Sequence, residues 1–147
     1  MYRTLSFSLP FILASTLSVA QDAPASGMMV DIPEACRTAS EASGGMNHGM
    51  MAEPMQMPEG ATASAKGYGQ AMQDMHGPMM QAMMIEDPDL AFACGMIPHH
   101  LGAIAMAKTV QETGSDDEIK TMAQAMIDAQ TKEIEELKTW IEAHARK

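Results

Sequence analysis

Methionine is the residue this chain uses to excess, and its thioether sulfur is the group whose abundance volume does not explain. The sequence carries 18 Met, all but Met1 beyond residue 20, where the only leucines are Leu90, Leu101 and Leu137. Met and Leu have similar volumes and exchange at small cost in a core. Met also specifies a core less well, because its side chain is flexible. A thioether is a soft, uncharged donor. Soft sulfur selects Cu(I) over hard cations, and it needs no deprotonation before it binds. The composition therefore points to copper, as Cu(I), with Cu(II) and Ag(I) as alternatives. The competing reading is an adaptable Met-rich core, or a surface for apolar helices.

Two groups of candidate ligands follow. The first is the stretch GGMNHGMMAEPMQM, residues 44–57, where Met46, His48, Met50, Met51, Met55 and Met57 could wrap one small ion. The second lies on segments of helical period: Met72, Met75, His76, Met79, Met96, His99, His100, Met106 and Met126. Gln130 and Glu133 interrupt an apolar stripe there. A buried carboxylate needs a partner, and a histidine that binds metal needs one to orient it.

The elements that must position these residues can be read in order. Arg3, the apolar run Leu5–Leu17 and the small residues Ser18-Val19-Ala20 predict a secretory signal peptide, residues 1–20, cleaved after Ala20. That places the mature chain in the periplasm or outside the cell. The run is too short for a membrane span, and no Cys follows the cleavage site, so no membrane anchor is expected. The formal net charge is −10, which excludes binding nucleic acid by phosphate neutralisation. Cys36 and Cys94 are free to be a disulfide, two thiols or metal ligands. Their spacing carries no zinc signature.

Residues 21–64 have linker composition and predict a disordered tail. Residues 65–147 predict a helical domain. Helix A runs from Ala65 to Met84, with Tyr68, Met72, Met75, Met79 and Met83 on one face and a break or kink at Gly77-Pro78. Helix B runs from Pro88 to Glu112, capped by Asp87 and bent at Pro98. Phe92, Met96, His99, Ala103 and Met106 form one of its stripes, and Leu90, Cys94, Ile97, Leu101 and Ile104 the opposite one. A helix apolar on both sides must be central or meet a dimer partner. Gly114 and the capping box Ser115–Glu118 open helix C. Its inward stripe is Ile119, Met122, Met126, Gln130, Glu133, Leu137, Trp140 and His144.

Counting outward from the turns predicts which residues meet. Met96 falls beside Glu133, His99 beside Gln130, Phe92 beside Leu137 and Met75 beside Pro98. Met72, Met75, His76, Met96, His99, His100, Gln130 and Glu133 then gather at one level, with His99 facing inward. His99 and His100 differ by about 100° around the helix. The alternative for this cluster is a metal-free polar network. The fold predicted is all-α, an antiparallel three- to four-helix bundle, ferritin-like in outline, with a disordered Met-rich tail.

The segment DPDLAFACGMIPHHLGAIAMAK, residues 87–108, resembles the signature of domain-of-unknown-function family 305, which includes CopM-like periplasmic copper-binding proteins. AQAMIDAQTKEIEELKTWI, residues 123–141, and the preceding MHGPMM agree, so the resemblance covers roughly residues 65–145. It implies an exported bundle, often repeated or dimeric, linked to copper homeostasis and tolerance. Met96, His99, His100, Met106, Gln130 and Glu133 stand where the family's motif residues stand. Nothing transfers to Cys94.

Three function classes compete. A non-catalytic protein would bind, sequester or deliver copper, with copper exporters or multicopper oxidases as partners. A metal oxidase on a ferritin-like bundle would need two Glu-x-x-His motifs, and the sequence has none. No hydrolase nucleophile motif occurs either, so no enzyme is expected, with cuprous oxidation the one activity left open. A protein-interaction module with Met-rich faces is the third.

Overall fold

A computed structural model describes residues 31–44 and 57–144. Within them the chain is all-helical, as expected: α1 Glu34–Ala42, α2 Ala63–Ala82, α3 Pro88–Thr113 and α4 Asp117–His144. The proposed signal peptide and the candidates Met46, His48, Met50, Met51 and Met55 lie outside the described residues.

Side-chain caps start the long helices. Thr62 accepts from Ala65 N at 3.1 Å, and Asp87 from Leu90 N at 2.8 Å, with Pro88 in the first turn. Asp116 Oδ1 accepts from Ile119 N at 2.9 Å, so the cap of α4 is Asp116 and not the expected Ser115. Of the break or kink expected at Gly77-Pro78, the break does not occur: α2 runs from Ala63 to Ala82 with Pro78 inside it. Proline removes one hydrogen bond, and the packing of α2 along α3 compensates. Pro98 is likewise inside α3 and buried.

The tail expectation for residues 21–64 needs correction, because Glu34–Ala42 is helical. Three long-range ties hold it. Cys36 and Cys94 form a disulfide with a Cα–Cα distance of 5.6 Å. Ser40 Oγ donates to Gln81 O at 2.9 Å, and Glu86 N donates to Ser43 Oγ at 3.2 Å. Ile32, Ala35 and Ala39 pack on the core. Composition could not reveal this order, because it comes from contacts with residues 81–94. The disulfide also settles the open question about the cysteines and removes them as ligands.

α3 is the central helix, and α2 and α4 pack on it far more than on each other. A seven-residue repeat assigns its sides. Gly95, Gly102 and Thr109 face α2: Gly95 lies against Ala82, Gly102 against Met75 and Thr109 against Gly67. The buried stripe Ala93, Ile97, His100, Ile104 and Ala107 faces α4, marked by His100–Glu133 and Gln111–Gln124 hydrogen bonds. Cys94 faces α1. The remaining side, Phe92, His99 and Met106, is exposed, Phe92 by 65%. The first stripe predicted for helix B is therefore largely its solvent side.

α4 answers with Ala123, Ile127, Gln130, Ile134, Leu137 and Ile141, stepping four, three, four, three, four, a coiled-coil-like seam; Ala123, Ile134 and Ile141 are buried. The predicted stripe was rotated: Ile119, Met122 and Met126 are exposed, Met126 by 57%. The contact level is also shifted. Met75 meets Gly102 and not Pro98, and Glu133 meets His100 and not Met96. Both shifts are four residues, about one turn. Interlocking side chains set the level. Gly102 lacks a Cβ that would lie 2.5 Å from Met75 Sδ, so the Met75 sulfur fills that notch.

Candidate metal centre

α3 and α4 border an open groove of about 400 Å³. From α3 come Met96 and His100, one turn apart, with the exposed Phe92 at the rim. From α4 come Glu133, Glu136, Leu137 and Trp140, at spacings of three, four and seven from Glu133, which is one face. The groove thus offers a thioether, an imidazole, two carboxylates and two aromatic rings along apolar walls.

His100 is its anchor. Only 8% of the residue is exposed, and its Nε2 lies 2.6 Å from Glu133 Oε2. A carboxylate only accepts, so in the neutral ring this contact places the proton on Nε2 and leaves a lone pair on Nδ1. That is the arrangement by which a carboxylate fixes the tautomer and orientation of a metal-binding histidine. His100 Nδ1 is buried and has no hydrogen-bond partner among the described residues, and the same holds for Gln130 Oε1. Each unsatisfied buried polar atom costs about 1–3 kcal/mol. A bound cation would satisfy such lone pairs.

The donor set bears on which cation. Among the described residues no group of three His, Cys, Asp or Glu side chains gathers to hold a metal. Beside His100 the groove also offers sulfur, and Met96 is the thioether one turn away. Imidazole with thioether is a soft neutral donor pair, suited to Cu(I) and Ag(I) and poor for hard ions.

The structure divides the predicted site residues. Met96, His100 and Glu133 come together, with Gln130 one turn from Glu133 on α4. His99 does not join them. It is exposed, with its ring edge-on to His100 at 5.8 Å. The heptad logic explains the inversion: His99 shares the solvent side of Phe92 and Met106, whereas His100 continues the buried stripe of Ile97 and Ile104. Met72, Met75, His76 and Met79 do not join this site as a group, since α2 packs on a different side of α3. Met75 is packed against Gly102 and Met57 against Gly69. Met72 is 42% exposed, His76 is exposed and Met79 half-buried. Met106 and Met126 face solvent.

The groove residues Phe92, Glu136, Leu137 and Trp140 were not among the predicted ligands. For Glu136, Leu137 and Trp140 the signal was present, since 133, 136, 137 and 140 trace one helical face. α3 is also long and apolar enough to cross a membrane by length and composition, a property shared by a central helix buried on several sides. A family model described as Domain of unknown function (DUF305) matches residues 13–141. The match begins well before the expected residue 65 and takes in α1 with Cys36. No curated protein matches the chain.

Proposed function

The chain belongs to the DUF305 family, and from that premise we propose that it binds soft monovalent metal ions, copper(I) first among them, outside the cytoplasm. The observation that carries the reading is the buried, unpartnered Nδ1 of His100, whose ring is oriented through Nε2 by Glu133, one turn from the Met96 thioether. The excess of Met over Leu supports it independently, because packing gives no reason for that exchange. The Cys36–Cys94 disulfide supports an oxidising compartment, in line with the apolar N-terminal run. Binding without catalysis fits best: the chain would sequester copper or pass it to exporters or oxidases by ligand exchange, with the methionines of residues 46–57 as further donors.

Titration of the disulfide-intact protein with Ag(I), and with anaerobic Cu(I) against a chromophoric chelator, tests this. Stoichiometric uptake is expected, reduced by one ion in Met96→Leu and His100→Ala. A parent protein that takes up neither ion would overturn the proposal. Exposed Met83, Ile119, Met122 and Met126 favour a second reading, a surface for apolar partners. On that reading, Met→Leu changes keep volume and leave binding of the partner intact.

A further inference from the structure

Resting on the copper reading, we infer that Trp140 is part of the ion site: its indole face covers the ion held by Met96 and His100 and makes the site selective for soft monovalent cations. Trp140 lines the same groove as Met96 and His100. Its level follows from the helix pairing. His100 is opposite Glu133, so in an antiparallel pair Met96 is opposite Leu137, one turn short of Trp140. An α-helical side chain leans toward its own N-terminus, which carries the indole back toward the level of Met96. His144 fixes the ring from the other side. The two rings stack at 4.1 Å with an 11° interplanar angle, and His144 Nδ1 donates to Trp140 O at 2.8 Å. One indole face is thus occupied by His144, and the ring also lines the groove.

A cation over an indole face within about 6 Å is attracted by the ring quadrupole, and Trp is the best of the aromatic residues for this. The gain survives only where the ion gives up water cheaply. Cu(I) and Ag(I) on thioether and imidazole donors do so; a strongly hydrated divalent ion does not. The groove therefore offers a soft cation two neutral donors and a π-face, while its carboxylates, Glu133 and Glu136, do not gather with a third hard ligand among the described residues.

Trp140 is the chain's one tryptophan, so its emission reports the site without interference from other indoles. The full-length mature protein, disulfide intact, is titrated with Ag(I), with occupancy followed separately by equilibrium competition. Emission should be quenched as the His100 site fills, and Met96→Leu and His100→Ala should abolish that quenching while ions still bind elsewhere. Trp140→Leu should weaken Ag(I) binding at this site about two- to thirty-fold, from a cation–π gain of about 0.5–2 kcal/mol, and Trp140→Phe by less. Zn(II) should leave the emission unchanged. If competition shows the Met96- and His100-dependent site filled while Trp140 emission stays constant, this inference falls and copper binding stands. If no ion is taken up, both fall. The wild-type emission measurement decides the matter even should Trp140→Leu fail to fold.

Discussion

Replacing both Cys36 and Cys94 by Ala removes the covalent tie between α1 and the central helix. The disulfide spans a sequence separation of 58 residues. In the chain-entropy model a closed loop of that length stabilises the fold by about 4 kcal/mol. For a domain of this size each kcal/mol moves Tm by roughly 3–6 °C, so the melting temperature should fall by roughly 12–24 °C. What then holds α1 is thin: the Ser40 Oγ to Gln81 O bond, the Glu86 N to Ser43 Oγ bond and the contacts of Ile32, Ala35 and Ala39. Hydrogen exchange should therefore show the amides of Glu34–Ala42 losing protection first, while α3 stays protected until global unfolding. Helicity followed against temperature, for oxidised protein, reduced protein and the double variant, measures the shift. Identical melting curves for all three, with unchanged protection in α1, would refute the reasoning. Thiol reductants used to maintain Cu(I) would open this bond, and Ag(I) avoids them.

Further outcomes follow from single contacts. Glu133→Gln should keep a hydrogen bond to His100 but remove the carboxylate that orients its ring, and metal affinity should fall by roughly 10–100-fold with the fold intact, as read by chelator competition. Gly102→Ala places a methyl 2.5 Å from Met75 Sδ and should cost about 1–3 kcal/mol in denaturant unfolding; adding Met75→Ala should recover part of that loss if this contact is the cause. Ile97→Ala, at a fully buried position, should cost about 2–5 kcal/mol by cavity formation. Met122→Leu and Met126→Leu, both exposed, should change stability by less than about 0.5 kcal/mol, and any fall in bound silver would show that surface thioethers take part.

Local chemistry made much of this protein legible from its residues alone. Asp87 with Pro88 announces α3, Gly114 and the acidic run after it announce the last turn, and the 3.6-residue period from residue 65 onward announces helices. The thioether excess names a chemistry without naming a place. The faces were not legible where α3 is apolar nearly all round, because periodicity gives no direction when no side is polar. That is why His99 was expected inside and His100 is there. The level at which helices meet was also out of reach of counting, since Gly102 and Gly67 decide it by admitting Met75 and Thr109. α1 was illegible for a different reason: its order is bought by the disulfide and by hydrogen bonds to residues 81 and 86, contacts that no local propensity encodes. Sequence set the three long helices and what donors they carry. Packing around one crowded helix decided which histidine is buried, which methionine stands beside it, and which carboxylate holds its ring.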